Sequence, residues 1–253
     1  MSDMLRDYLT ALVEAKSVEE LWAMHCAKMA DYGFDRLLYG FTYYRSRESL
    51  GDPADFVLLT NHDRAYTDVF IGEGLYFDAP MVHWALENEG ACSWSILSEM
   101  QARGALTAAA RRVMEFNRSM GITAGYTVSF RAASWRSKGA IALTARAGVS
   151  QQDVDQIWAE HGADLALMND IAHLKILTLP KSFAGRKLTL RQREVLGWAG
   201  EGKHVQDIAK ILGLTPATVE KHLRLAREAL DADTTAQAVL KAAFQNQVFV
   251  LGA

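Results

Sequence analysis

Residues 188–230 of this 253-residue chain read LTLRQREVLGWAGEGKHVQDIAKILGLTPATVEKHLRLAREAL. Apolar residues recur at helical spacing from Val205 to Leu212, and Gly213 follows at the position where a left-handed residue commonly ends a helix. Thr215-Pro216 then supplies an N-cap hydroxyl and a proline at the first helical position, where no N–H is needed. These features predict two helices joined by a tight glycine turn, a helix-turn-helix.

The second of these helices has one apolar and one charged face. Four residues at helical spacing form the apolar face: Val219, Leu223, Ala226 and Leu230. A preceding helix begins after Leu188, and Thr189 with Gln192 three residues later forms a capping box. A short helix, a turn and a second helix with outward basic groups is the geometry that fits the major groove of DNA.

The whole segment resembles the C-terminal DNA-binding domain of the LuxR family of bacterial regulators. The resemblance depends on LTLRQREVL at 188–196, on Gly202-Lys203, on Ile208-Ala209 and on the pattern T-V-x-x-H-L at 218–223. It implies double-stranded DNA with an inverted-repeat operator as the partner, a homodimer as the binding unit, and RNA polymerase as a possible further partner. Residues 234–245 are expected to form a last helix, which in the family helps to pair two DNA-binding domains.

Matching the family's recognition helix residue by residue gives three candidate base-reading residues: Glu220, Lys221 and Arg224. A Lys or Arg pairs with guanine O6 and N7, and a Glu accepts from the cytosine amino group. Glu220 departs from the basic residue frequent at that position in the family, so the operator is expected to differ there. Five further residues are placed to contact phosphates: Lys203, Gln206, Thr215, Thr218 and Arg227. We expect Trp198 and His222 to pack within the domain.

Charge is distributed unevenly along the chain. Residues 181–253 contain eleven Lys or Arg and seven Asp or Glu, although the net charge of the whole chain is −3. An acidic body followed by a basic end is typical of a nucleic-acid-binding module attached to a regulatory domain. The sequence contains no G-x-S-x-G, H-E-x-x-H or phosphate-binding glycine loop, so we expect neither an enzyme nor catalytic residues.

The sequence also bears on location and on metal binding. No apolar run approaches the ~18 residues of a membrane span, and the start, MSDMLRDYLT, lacks the features of an export signal. We therefore expect a cytoplasmic protein that does not enter a membrane. Cys26 and Cys92 are isolated, so neither a disulfide framework nor a metal site is expected, and no cofactor is indicated.

The region upstream of the helix-turn-helix predicts a separate α+β domain. Its predicted helices lie at 4–13, 18–31, 64–71, 81–87, 105–120 and 150–174. Its predicted strands lie at 37–45, 56–60, 124–132 and 139–146. This order implies an antiparallel sheet with helices packed on it, and it differs from the alternating strands and helices of a phosphorylation-switched receiver domain.

The chain is therefore expected to contain two domains. Pro180 and Gly185 predict a linker at 176–187, between a ligand-binding and dimerisation domain at 1–175 and a helix-turn-helix domain at 188–253. The resemblance implies that the first domain is an α/β/α sandwich with a five-stranded antiparallel sheet and a pocket for an acyl-homoserine lactone. It implies that the second domain is all-α, with four helices.

The family's pocket signature has a tyrosine and proline, a tryptophan, a second tyrosine, an Asp-Pro pair and a later tryptophan. The corresponding residues here are TNHDRAYTDVFIGEGLYFDAP at 60–80 and CSW at 92–94. His62 takes the place of the first tyrosine, Tyr66 that of the tryptophan and Phe70 that of the second tyrosine. The aspartate position falls on Ala79, and Asp78 precedes it. Five residues are thus the candidate ligand contacts: His62, Tyr66, Phe70, Asp78 and Trp94.

These substitutions predict an altered ligand. In the family, the aspartate accepts a hydrogen bond from the amide of the signal, and the tryptophan donates to the lactone carbonyl. Tyr66 retains a hydroxyl donor, and Asp78 would reach the amide if the loop shifted by one residue. Without that shift, burial of an unpaired amide costs roughly 1–3 kcal/mol. Two hypotheses stay open: a pocket for an acyl-homoserine lactone or a related, non-standard signal, or a regulator that needs no small molecule or is controlled by a partner protein.

Overall fold

The computed structural model describes residues 3–46, 50–132, 134–180 and 187–248. Within these ranges the chain forms eleven α-helices and five β-strands. It divides into two compact units, Met1–Leu177 and Thr178–Ala253, which are described separately below.

The first unit begins with two helices, α1 (Asp3–Glu14) and α2 (Val18–Asp31), followed by strands β1 (Phe34–Thr42) and β2 (Val57–Thr60). The middle of the unit contains α3 (Arg64–Thr67), α4 (Pro80–Glu87), β3 (Gly90–Ser93), α5 (Ser95–Ala102) and α6 (Ala108–Ser119). The unit ends with β4 (Gly125–Ser129), β5 (Lys138–Ala145) and the long helix α7 (Gln151–Thr178). Between α3 and α4 the chain makes a π-helical turn, Asp68–Gly72, and a 3₁₀ turn, Leu75–Asp78.

The five strands form one sheet in the order β2-β1-β5-β4-β3, and every neighbouring pair is antiparallel. Because side chains alternate between the two faces of a strand, Leu37, Tyr39 and Phe41 of β1 share one face. That face is covered by helices: the Tyr39 hydroxyl lies 2.8 Å from Nδ1 of His173 in α7. The Tyr126 ring of β4 stacks on Trp158 of the same helix at 4.1 Å.

The opposite face of the sheet lies beneath α4 and the turns that precede it, so helices lie on both sides. This arrangement confirms the predicted α/β/α sandwich with a five-stranded antiparallel sheet. The sheet exposes one face of β1, β4 and β5 to an internal cavity, described in the next section.

Several element boundaries differ from the sequence-based expectation. The edge strand β3 was not predicted from its residues, because Gly-Ala-Cys-Ser has neither the length nor the branched side chains that indicate a strand. The helix expected at 64–71 gives way to a π-helical turn after Thr67. Helix α7 continues to Thr178, so residues 176–178 of the expected linker are helical. Residues 181–186 of that linker lie outside the described ranges.

The second unit contains four helices: α8 (Leu190–Gly200), α9 (Val205–Leu212), α10 (Pro216–Leu230) and α11 (Thr235–Phe244). The expected capping box is present, since the Gln192 N–H donates to the Thr189 hydroxyl at 3.3 Å and the Thr189 N–H donates to Oε1 of Gln192 at 2.7 Å. Gly213 adopts the left-handed conformation, with φ of 65°, at the end of α9. The N–H of Leu214 then donates to the carbonyl of Ala209 at 2.8 Å, which closes the turn.

The core of the second unit comes from one face of each helix. The four residues expected on the apolar face of α10 are all buried: Val219, Leu223, Ala226 and Leu230. They pack with Val195 and Leu196 of α8 and with Ile208 of α9, and Trp198 lies partly buried against the same cluster. The turn and this core therefore hold α10 against α8 and α9, with its charged face outward.

None of the helices within the described ranges is both long enough and apolar enough to cross a membrane. The same residues contain no cluster of three or more His, Cys, Asp or Glu side chains suited to a metal ion.

Candidate ligand cavity and nucleic-acid interface

The first unit contains an internal cavity of about 360 Å³ on the α4 side of the sheet. Alternate residues of the strands form its floor, including Leu38, Gly40, Thr42, Thr127 and Thr144. Side chains of α3, α4, α5, α6 and the intervening turns form most of the remaining walls. A mostly apolar cavity of this size with a few polar groups is typical of a small-molecule site.

Three of the predicted ligand residues form an aromatic stack along one wall. His62, Tyr66 and Phe70 are spaced four residues apart, which places them on one side of α3 and the π-helical turn. The Tyr66 ring lies 4.6 Å from His62 and 5.0 Å from Phe70, and Phe116 of α6 stacks on it at 5.6 Å. All three predicted residues line the cavity.

Burial keeps this wall uncharged at neutral pH. Burial, together with the nearby Arg36 guanidinium, lowers the pKa of His62 from 6.5 to about 4. Burial also raises the pKa of Tyr66, so its phenol retains the proton and can donate a hydrogen bond. The wall is therefore suited to a neutral ligand.

Trp94 also lines the cavity, but its indole N–H already has a partner. It donates to the hydroxyl of Thr127 at 2.9 Å, which fixes the ring against the sheet. The ring lies over Gly125, where a Cβ atom would come within 2.9 Å of the indole. Trp94 thus forms a fixed wall of the cavity.

Asp78 does not reach the cavity. It is exposed and is not among the residues that line it, whereas the neighbouring Ala79 and Pro80 are. Gly74, with φ of 81°, begins the tight turn Leu75–Asp78, which buries Tyr76 and Ala79 and leaves the Asp78 carboxylate outside. The one-residue shift that would bring Asp78 to a ligand amide is therefore absent, and none of the described lining residues is an Asp or Glu.

Other polar residues of the cavity were not singled out from the sequence. Tyr76 belongs to a set of aromatic residues that could either pack in the hydrophobic core or line a ligand cavity. The periodicity of the sequence does not distinguish these two roles. Asn117 lies in the last turn of α6, where a polar residue gives no sequence signal of a site. Thr127 and Thr144 face the cavity because of strand register, which the sequence shows only once the sheet is known.

The second unit presents a basic helical surface. Glu220, Lys221 and Arg224 are exposed on α10, as predicted from its helical spacing. Together with Arg227 of the same helix and Thr235 of α11 they border one shallow concavity. Arg224 forms an ion pair with Glu228 at 2.6 Å, and Arg227 donates to the Thr235 hydroxyl at 3.1 Å.

The remaining predicted DNA contacts lie at helix starts. Thr215 caps α10, since its hydroxyl accepts from the Thr218 N–H at 3.2 Å, and the two hydroxyls are 2.9 Å apart. Lys203 lies two residues before α9 and Gln206 lies in its first turn, and both side chains are exposed. Neither Lys203 nor Gln206 borders the concavity beside α10. Exposed hydroxyls and cations near helix N-termini suit phosphate groups.

Two protein-family models match the two units in turn. The model described as autoinducer binding domain matches residues 17–176, and the model of bacterial regulatory proteins of the luxR family matches residues 186–242. The chain belongs to the LuxR family. Members of this family are transcriptional regulators rather than enzymes, and the two matches assign this LuxR-family chain an autoinducer-binding domain and a DNA-binding domain.

Named relatives agree with this assignment. The chain is 35% identical over 136 residues to the HTH-type quorum sensing-dependent transcriptional regulator RpaR of Rhodopseudomonas palustris. That match spans 53% of this LuxR-family chain and about half, 52%, of RpaR. The transcriptional activator protein AnoR of Acinetobacter nosocomialis is 24% identical over 251 residues, which cover 96% of this chain and 98% of AnoR.

A solved structure supports the fold of the first unit. It is that of CepR2 from Burkholderia cenocepacia, titled an N-acylhomoserine lactone-dependent LuxR-family transcription factor. The TM-score is 0.53 at 18% identity, over 68% of this chain and 93% of the CepR2 chain. At this identity the likeness bears on the fold alone.

Proposed function

We propose that this chain is a cytoplasmic, homodimeric quorum-sensing regulator that binds an inverted-repeat operator and responds to a neutral small molecule held in the cavity of its first unit. The observation that carries the proposal is the exposed cluster of Glu220, Lys221 and Arg224 on a helix whose opposite face is buried. A fixed helix with exposed charged side chains is what major-groove reading requires. The cytoplasmic location follows from the proposed DNA target.

The DNA contacts divide into two kinds. Lys221 and Arg224 are the proposed guanine readers, and Glu220 is the proposed reader of a cytosine amino group. Lys203, Gln206, Thr215, Thr218 and Arg227 are proposed to hold phosphates and so to set the position of α10. In the free protein Arg224 is paired with Glu228, so this exposed ion pair is expected to open when a base is bound.

Arg224→Ala is expected to weaken binding to the cognate operator by about 1–3 kcal/mol and to relax preference at one base pair. The cause is loss of a bidentate contact to a base rather than loss of charge alone. Arg191→Ala is a matched control, because Arg191 is another exposed arginine paired with a nearby glutamate, but it lies on α8. Fluorescence anisotropy on operator and scrambled duplexes measures both effects. Equal weakening on both duplexes would contradict base reading by Arg224.

Exposed apolar side chains support the proposed homodimer. In α11, Ala236 and Leu240 lie one turn apart on the solvent side, and Leu240 is 45% exposed. In α7, Leu167 and Leu174 are two turns apart and exposed. These exposed pairs of apolar side chains are the surfaces proposed to pair with a second copy.

Leu240→Glu is expected to weaken operator binding about five- to 150-fold, because an unpaired carboxylate in the proposed contact costs roughly 1–3 kcal/mol. Leu190→Glu is the matched control, since Leu190 is also an exposed leucine of the second unit but lies on α8. Analytical ultracentrifugation on the operator would give the stoichiometry. Undiminished dimeric binding by the Leu240 variant would exclude α11 as the contact.

The ligand is proposed to be an acyl-homoserine lactone or a related neutral signal. The apolar cavity and its neutral aromatic wall support a small molecule, whereas Ala79 at the family's aspartate position favours one that differs from an ordinary lactone. That same substitution keeps a second candidate open, a regulator that binds DNA without a signal or under a partner protein. RNA polymerase is proposed as a further partner only because relatives such as AnoR are named transcriptional activators.

Selection from a randomised duplex library tests the proposed function. The full chain should enrich a two-fold symmetric sequence whose half-sites are about one helical turn apart. Adding candidate signals to the same assay separates the ligand-controlled regulator from the ligand-free one. Failure to enrich any sequence, with or without signals, would overturn the proposal.

A further inference from the structure

Two buried polar atoms on the cavity wall lack a hydrogen-bond partner. They are the hydroxyl of Tyr76 and the side-chain oxygen of Asn117. Four such atoms occur among the described residues, and the other two, in Trp22 and Arg193, do not border the cavity. Native proteins rarely leave buried polar atoms unpaired, so an unpaired atom beside a cavity is a candidate contact for a bound group or an ordered water.

The two residues are held on neighbouring elements. Tyr76 lies in the turn Leu75–Asp78, which packs against α6, and its side chain is only 7% exposed. Asn117 lies near the end of α6, where its backbone carbonyl accepts from the Ile122 N–H at 2.8 Å. The Tyr76 ring is fixed from the side by Phe56 at 6.3 Å. Both residues therefore line the cavity from anchored positions.

We propose that Tyr76 and Asn117 form a polar subsite that binds a hydroxyl group of a neutral signal molecule. The inference rests on the proposed signal-binding function and specifies its ligand. A ligand hydroxyl that reaches both residues would accept from the Tyr76 phenol and donate to the Asn117 amide oxygen, and would so satisfy both atoms. A ligand carbonyl would satisfy Tyr76 alone, and a ligand N–H would satisfy Asn117 alone.

The Tyr76 side of the cavity agrees with a neutral, hydroxylated ligand, and the lining also contains two cationic residues, Arg118 and Lys138. Burial raises the pKa of Tyr76, which keeps the phenol protonated as a donor. None of the described lining residues is an Asp or Glu that would accept from a ligand amide, since Asp78 faces outward. The side-chain oxygen of Asn117 is therefore a neutral hydrogen-bond acceptor in the cavity wall. It lies at a different position from the aspartate of the family's pocket signature.

Matched probes test the subsite in the full chain. The pairs are N-(3-hydroxyoctanoyl)-homoserine lactone with N-octanoyl-homoserine lactone, and 1-octanoylglycerol with its dimethyl ether. By calorimetry, the hydroxylated member of at least one pair should bind the wild type about tenfold more tightly. Tyr76→Phe and Asn117→Leu should abolish that advantage, whereas Tyr32→Phe, which changes a tyrosine outside the cavity, should retain it.

Different results would overturn the proposed subsite and the proposed function. The subsite would be overturned if both members of each pair bound equally well or if no probe bound. It would also be overturned if the hydroxylated probe still bound more tightly in both variants. Without ligand, neither variant should have a lower melting temperature than the wild type, because each substitution removes an unpaired polar atom. A clearly lower melting temperature would show that the atom already had a partner, and it would also overturn the proposed subsite. Sequence-specific DNA binding is measured in parallel, and its absence from the wild type would instead overturn the proposed function.

Discussion

Gly125→Ala is expected to destabilise the first unit by about 3 kcal/mol, the upper end of the usual range for overpacking. An added Cβ atom would clash with the carbonyl oxygen of Leu143 and would lie 2.9 Å from the ring of Trp94. Neither neighbour can yield easily, because Leu143 belongs to the paired strand β5 and the Trp94 indole is hydrogen-bonded to Thr127. The substitution should therefore open the sheet or displace the cavity wall.

Gly40→Ala provides the matched control. Gly40 also lies in a central strand and also borders the cavity, but the nearest atom to an added Cβ is 3.7 Å away in Leu58. Urea denaturation of the two variants should give a large loss for Gly125→Ala and a small one for Gly40→Ala. Similar losses would contradict the close approach of Trp94 and β5 to Gly125.

Lowering the pH from 7.5 to 4.5 is expected to cost the first unit about 2–3 kcal/mol through His25 alone. This histidine is fully buried, which lowers its pKa from 6.5 to about 4. Its Nε2–H donates to the side-chain oxygen of Asn169 at 3.1 Å, and the Tyr8 hydroxyl, 2.7 Å from Nδ1, donates to the remaining nitrogen. The neutral ring thus links α1, α2 and α7.

The sign of this effect follows from the two pKa values. Below pH 6.5 His25 of the unfolded chain becomes protonated, whereas His25 of the folded chain stays neutral down to about pH 4. The free energy of unfolding therefore falls between pH 6.5 and pH 4, and the contribution of His25 is fully present above pH 6.5. His25→Gln removes the titrating ring, and the pH-dependent loss should shrink by the same amount. Hydrogen–deuterium exchange of α2 in urea follows the first unit specifically. An unchanged pH dependence in the variant would contradict a neutral, buried His25.

The helix-turn-helix could be predicted in detail because its determinants are local. The capping pair Thr189 and Gln192, the left-handed Gly213 and the Thr215-Pro216 start each impose their geometry within a few residues. The apolar face of α10 follows from spacing alone. The major elements of the α+β unit were predictable for the same reason, whereas β3 depends on pairing with β4 rather than on its own residues.

The cavity was only partly predictable. His62, Tyr66, Phe70 and Trp94 were found through a resemblance in sequence, and all four line the cavity. The outward position of Asp78 depends on a tight turn that begins at a left-handed glycine, which the sequence alone did not resolve. Asn117 becomes notable only when its oxygen is seen to be buried without a partner.

A crystal structure of the full chain on its selected operator would test the central claim most directly. The account predicts that the N-terminal half of α10 lies in the major groove, with Lys221 and Arg224 within hydrogen-bond distance of base edges and Val219 and Leu223 still buried against α8 and α9. A complex in which Lys221 and Arg224 point away from the bases, or in which another element occupies the groove, would contradict it.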